Sequence, residues 1–84
     1  MNLGAILIEM PGRAADAVAE FQQAVKLDPG IPEAHSNLGY ALLRMPGRVA
    51  EATAEFEASL RLRPDADVQA ELDRLRKAAG RSGQ

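Results

Sequence analysis

The stretch NLGYALLRMPGR, residues 37–48, decides how this sequence folds, because a close copy, NLGAILIEMPGR, occupies residues 2–13. When residues 1–30 are aligned with residues 36–65 without a gap, fifteen of the thirty positions are identical. Ungapped similarity at a fixed period of roughly 20 to 50 residues is typical of repeat proteins. We therefore expect two copies of one structural unit, with a period of 35 residues.

Apolar residues recur within each unit at the spacing of α-helices. In the second unit they fall into a first set, Ala34, Leu38, Ala41, Leu42 and Met45, and a second set, Ala52, Phe56, Ser59, Leu60 and Leu62. Pro46 and Gly47 separate the two sets, and Pro64 follows the second. Because proline disfavours helical geometry in the residue before it and glycine permits a sharp turn, each unit is predicted to be a helical hairpin.

Small residues recur on the two helices of the hairpin. Gly4 and Gly39 occupy equivalent places in the first helices, where glycine costs about 1 kcal/mol relative to alanine. We interpret them as positions of close approach by the second helix. The small residues expected to face that contact are Ala17, Ala24, Ala52 and Ser59, with Phe21 and Phe56 filling the space between neighbouring hairpins.

These residues resemble the tetratricopeptide repeat, whose pattern is Trp-x2-Leu-Gly-x2-Tyr, then Ala-x3-Phe-x2-Ala, then Pro. The second unit has His35 at the Trp place and continues with Leu38, Gly39, Leu42, Ala52, Phe56, Ser59 and Pro64. The first unit matches with Leu3, Gly4, Leu7, Ala17, Phe21, Ala24 and Pro29. The resemblance covers residues 1–64. The period is one residue longer than the family's usual 34, and Pro11 and Pro46 in the turns account for the extra residue.

The predicted fold class is all-α, with antiparallel helix hairpins stacked as a short right-handed α-solenoid of about five helices. Residues 1–30 form the first unit, whose first helix is truncated at its N-terminus, and residues 31–64 form the second. Residues 65–79 carry one apolar stripe among charged residues, which is typical of a polar capping helix. Residues 80–84 are expected to be a flexible tail.

Composition and charge narrow the classes of function. Residues 1–70 contain six basic and ten acidic residues, which argues against nucleic-acid binding. The longest apolar stretch, residues 3–8, is far too short to span a bilayer and lacks the features of a signal peptide. The chain contains no cysteine. We therefore expect no membrane and no nucleic-acid partner, and a cytoplasmic location by default.

The chain offers no combination of residues typical of an enzyme. His35 is the only histidine and has no cluster of metal ligands around it, so a packing role is favoured. Ser36 and Asn37 follow it directly and cannot share its helix face. The two Gly-Arg pairs lack the spacing of a phosphate-binding loop. We expect no catalytic residue, no metal site and no cofactor.

The family resemblance implies that a peptide binds in the concave groove lined by the first helices. Carried over position by position, it nominates Asn2, Ala5, Ile8 and Glu9 in the first unit and Glu33, Ser36, Asn37, Tyr40, Leu43 and Arg44 in the second. Tyr40 would contribute apolar area, Asn37 would bond a peptide backbone, and Arg44 would hold a carboxylate. The predicted function is a non-catalytic protein–protein interaction module.

Residues 1–10 are apolar on several faces, through Leu3, Ile6, Leu7, Ile8 and Met10. One face is expected to pack on the second helix of the first unit, which leaves another face uncovered. This predicts self-association as a homo-oligomer, or membership of a longer repeat array. The alternative function is therefore a purely structural, self-assembling repeat with no ligand of its own.

Overall fold

The computed structural model describes residues 13–82, which form four helices. These are α1 (Ala14–Leu27), α2 (Pro32–Leu43), α3 (Val49–Leu62) and α4 (Ala66–Ser82). The described residues contain no strand, so the all-α prediction is confirmed. The fifth helix, expected near the N-terminus, lies outside the described residues, and the right-handed twist of the stack stays a prediction.

The turn between α1 and α2 is built by residues that exclude helical geometry. Asp28 is extended, with φ −148° and ψ 90°, because Pro29 follows it. The Asp28 side chain then accepts a hydrogen bond from the Gly30 amide at 3.1 Å, which closes the turn. Ile31 is extended before Pro32, which occupies the first turn of α2, where its missing N–H costs nothing.

The turn between α2 and α3 contains Pro46 and Gly47, one copy of the repeated Pro-Gly pair. The amides of Arg44 and Met45 donate to the carbonyls of Ala41 and Leu42 at 3.1 and 3.0 Å, which tightens the end of α2. Gly47 has φ +74°, a left-handed conformation that side chains with a Cβ disfavour. The equivalent Gly12 lies outside the described residues.

Helix α4 begins with a side-chain cap and extends further than expected. Asp65 Oδ1 accepts hydrogen bonds from the amides of Asp67 and Val68 at 2.9 and 3.2 Å. The helix continues to Ser82, so the predicted boundary at residue 79 was too early. Gly80 does not end it, because Gly47 is the one described glycine with a positive φ and a glycine C-cap needs that conformation.

The core is one cluster shared by all four helices. Gly39 lies directly against α3, since a Cβ placed on it would meet Phe56 Cε1 at 2.8 Å. The predicted close approach at Gly39 is thus confirmed, and Phe56 is completely buried there. The buried apolar residues of the cluster are Ala17, Val18, Leu38, Ala41, Leu42, Ala52, Phe56, Val68, Leu72 and Leu75.

Burial differs between the two units. Ala17, Ala52 and Ser59 are buried as expected, but Ala24 is exposed. Leu62, expected in the apolar face of α3, is also 46% exposed. The reason lies in the packing: α3 contacts both α2 and α4, whereas the main described neighbour of α1 is α2.

Candidate functional site

One face of α2 carries the candidate residues that the structure describes. Glu33, Asn37, Tyr40 and Arg44 follow one another at steps of four, three and four residues, a spacing that places side chains on one helix face. Asn37 and Tyr40 are half-buried, and Arg44 is exposed. The first-unit candidates Asn2, Ala5, Ile8 and Glu9 lie outside the described residues, as do the self-association candidates Leu3, Ile6, Leu7, Ile8 and Met10.

Asn37, Tyr40 and Arg44 lie on this face, and we call them the α2 stripe. None of the three side chains makes a hydrogen bond or ion pair within the described part of the chain. The Tyr40 ring packs edge-on against Phe56, with centroids 4.9 Å apart and an interplanar angle of 70°. This contact holds the ring in place, and the hydroxyl group forms no hydrogen bond with another described residue.

Glu33 is engaged with another residue. Its Oε2 accepts a hydrogen bond from Arg63 Nη2, across the junction between α2 and the end of α3. The pKa of Glu33 is lowered, first by a hydrogen bond from its own backbone and then by the Arg63 guanidinium. Glu33 is therefore paired with Arg63 at the edge of the helix face that carries Asn37, Tyr40 and Arg44.

Ser36 and Leu43 are placed differently from the expectation that they line a groove. Ser36 is 9% exposed, and its hydroxyl donates to the Glu33 carbonyl at 3.2 Å inside α2. Leu43 is half-buried and packs against the core. The Ser36 hydroxyl is therefore engaged within α2, and the role of both residues in a groove stays a prediction.

Carboxylates from the start of α4 complete the surroundings of Tyr40. Partial burial raises the pKa of the Tyr40 phenol, and the negative charges of Glu71, Asp65 and Asp67 raise it further. The sequence interpretation missed these residues because α4 was treated only as a cap. A signal was present: Asp67 and Glu71 lie 34 residues after Glu33 and Asn37, which is the family's usual period.

His35 has a structural role between three segments. Its ring is buried, with Nε2 donating to the Pro29 carbonyl at 2.8 Å and Nδ1 lying 2.9 Å from Glu55 Oε1. These contacts connect the turn after α1, the first turn of α2 and the middle of α3. The expected packing role of His35 is confirmed by these contacts.

Nothing in the described residues assembles catalytic or metal chemistry. They contain no group of three or more His, Cys, Asp and Glu side chains that could hold a metal ion. An open cleft of about 500 Å³ between α3 and α4 is lined by Glu57, Leu60, Arg61, Gln69, Leu72 and Arg76. Its only carboxylate, Glu57, is paired with Arg76 at 2.9 Å, so this lining offers no acid–base pair.

The four described helices pack in succession, as in a helical-repeat protein. Residues 12–45 match a family model described as TPR repeat, which supports the predicted resemblance. Repeats of this family generally mediate protein–protein interaction and are typically non-enzymatic. Comparison with curated proteins and with solved structures gives no match. Among the described helices, none is both long and apolar enough to cross a membrane.

The matched residues cover α1 and α2 together with the turns that flank them. The match therefore joins the second helix of the first predicted unit to the first helix of the second. A periodic array can be divided at either of its two kinds of turn. The matched range and the predicted division at residue 30 therefore differ only in which turn is taken as the boundary. The α2 stripe lies inside the matched range.

Proposed function

We propose that this chain is a non-catalytic interaction module that binds a short peptide of a partner protein across the α2 stripe. The observation that carries the proposal is the alignment on one helix face of three polar side chains that make no hydrogen bond or ion pair with other described residues, with the central ring packed on Phe56. Surface polar groups are common, but a fixed aromatic ring between an amide and a guanidinium is typical of recognition surfaces.

The three side chains differ in what they recognise. Asn37 offers both a donor and an acceptor, which suits a peptide backbone unit. Tyr40 offers a flat apolar ring with a hydroxyl at its end, and Arg44 offers a fork of donors to a carboxylate. The seven residue steps from Asn37 to Arg44 span about 10 Å of helix axis, the length of about three extended residues.

Packing against Phe56 lowers the free-energy cost of ordering the Tyr40 side chain when a peptide binds. Ordering a free side chain at an interface costs roughly 0.5 to 1.5 kcal/mol. Because the Tyr40 ring already packs at 4.9 Å from a completely buried ring, little of that cost remains for it. We therefore expect Tyr40 to be the central contact, with Asn37 and Arg44 setting the orientation of the peptide.

Selection from a random peptide display library tests the proposal, with the chain immobilised as bait. Peptides that bind the original chain should lose at least about tenfold in affinity against a variant carrying Asn37→Ala, Tyr40→Phe and Arg44→Gln. Tyr40→Phe keeps the ring against Phe56, so the variant should unfold at the same urea concentration as the original chain.

Arg61→Gln provides the matched control, because Arg61 is a guanidinium on α3 that lines the cleft facing α4. This variant should bind the selected peptides with unchanged affinity. If the enriched peptides bind the triple variant as well as the original chain, or if none is enriched, the α2 stripe is not a peptide site.

A further inference from the structure

The buried ring of His35 has a hydrogen-bond acceptor at each of its two nitrogens. Nε2 lies 2.8 Å from the carbonyl oxygen of Pro29, and Nδ1 lies 2.9 Å from Oε1 of Glu55. Both are hydrogen-bond distances, and the residue is only 8% exposed, so water has little access to the ring. Each ring nitrogen therefore has one protein oxygen as its partner.

The chemistry of the two partners determines how many protons lie between these groups. A backbone carbonyl only accepts hydrogen bonds, so Nε2 must carry a proton. A neutral imidazole has a single N–H, which would leave the lone pair of Nδ1 facing the Glu55 carboxylate. An imidazolium has a proton on both nitrogens and donates to both oxygens. The contacts of His35 therefore require one proton more than a neutral ring and an ionised carboxylate supply.

This additional proton has two available positions, Nδ1 of the ring and the carboxyl group of Glu55. Glutamate releases its proton at about pH 4.3 in an unperturbed peptide, whereas histidine holds its proton up to about pH 6.5. The Glu55 side chain is also 26% exposed, so water stabilises its negative charge. Both considerations place the proton on the ring of His35.

The other charged groups around the ring come from the turn, from α2 and from α3. In the turn, the Asp28 carboxylate accepts a hydrogen bond from a backbone amide at 3.1 Å, and on α2 Glu33 is paired with Arg63. On α3, Arg61 lines the space of about 220 Å³ beside the ring and opposes its charge, but it forms no hydrogen bond with the ring. The carboxylate of Glu55 is the charged group in direct contact with the ring.

We propose that the folded chain holds His35 as an imidazolium at neutral pH, and that this proton makes the packing of α2 on α3 sensitive to pH. In the unfolded chain the two groups titrate separately, so above about pH 6.5 the unfolded chain releases a proton that the folded chain keeps. The stabilisation is therefore fully present just below about pH 6.5 and decreases as the pH rises above it. Below about pH 4.3 it decreases again, because the unfolded chain then protonates Glu55.

Urea titrations at about pH 6 and about pH 7.5 test the proposal, since His35 is the only histidine in the chain. The ratio of folded to unfolded chain should fall at least about threefold between these two pH values. In Glu55→Gln the new amide N–H can donate to Nδ1 of a neutral ring, so this variant should stay folded at about pH 7.5 and lose the dependence on pH. Glu51→Gln is the matched control, because Glu51 lies one turn earlier on α3 and is bonded to Arg48. This control should keep the dependence.

Nitrogen-15 NMR of the His35 ring counts its protons directly. At about pH 7 both ring nitrogens should carry a proton in the folded original chain, and only Nε2 should carry one in Glu55→Gln. A single ring N–H in the folded original chain overturns the proposal. Equal stability of the original chain at the two pH values, or a pH dependence that Glu55→Gln leaves unchanged, also overturns it.

Discussion

Gly39 lies inside α2, where helix propensity favours alanine over glycine by about 1 kcal/mol. A Cβ at this position would nevertheless lie 2.8 Å from Cε1 and 2.9 Å from Cζ of Phe56. The ring cannot move aside easily, because it is completely buried and Tyr40 packs on it. Overpacking costs about 1 to 3 kcal/mol, so after the propensity gain we expect Gly39→Ala to lower the free energy of unfolding by up to about 2 kcal/mol in urea titrations.

The control for this substitution is Gly80→Ala in α4, where a Cβ would meet nothing within 4 Å. There the propensity term acts alone, so stability should stay equal or rise by up to about 1 kcal/mol. Stabilisation by Gly39→Ala would show that α2 and α3 lie further apart than the structure places them.

Glu33 allows a test of charge at the start of α2. Its pKa is lowered first by the hydrogen bond from its own backbone and second by Arg63, so Arg63→Gln should raise the pKa but leave it below the ordinary value. Because the folded pKa is depressed, Glu33 stabilises the fold above about pH 4.3, and this contribution disappears as the pH falls through the folded pKa. Carboxyl-carbon NMR titration measures the Glu33 pKa in the original chain and in the Arg63→Gln variant.

Glu51 serves as an internal reference in the same spectra. Its pKa is also lowered, chiefly by its hydrogen bonds with Arg48, which lies on the same helix turn. Arg63→Gln should therefore leave the Glu51 titration unchanged. A Glu33 pKa that does not respond to Arg63→Gln would contradict the ion pair.

The helices themselves could be predicted from the sequence because their signals are local. Apolar spacing and the Pro-Gly pairs located α2 and α3, and Gly47 adopts the positive φ that its turn requires. The role of Gly39 was also predictable, because a costly residue repeated in a helix needs a packing reason. The inferences about the helices and the turn use residues within about one helix length of each other, and the inference about Gly39 uses the 35-residue repeat.

The remaining features depend on contacts between distant elements, which periodicity does not encode. The His35 contacts join Pro29, six residues away, to Glu55, twenty residues away. The acidic surroundings of Tyr40 come from α4, whose stripe was interpreted only as a cover for the core. Ser36 was nominated by position alone. Its hydroxyl instead forms a local hydrogen bond with the Glu33 carbonyl, which the periodicity did not indicate.

Across the whole molecule, each described helix packs mainly on its neighbours in the chain, α1 on α2, α2 on α3 and α3 on α4. This sequential packing is the pattern of a repeat array, in which stability is the sum of units and the interfaces between them.

Helix α4 is the element whose loss should unfold the chain. It buries Val68, Leu72 and Leu75 against the core, and each such side chain contributes about 1.5 to 3 kcal/mol. Their sum is comparable with the roughly 5 to 15 kcal/mol that stabilises a small domain. A chain ending at Asp65 should therefore lose cooperative thermal unfolding by circular dichroism, whereas one ending at Ala79, which keeps all three residues, should retain it. Cooperative unfolding of the shorter chain would mean that α1, α2 and α3 form a complete core without their cap.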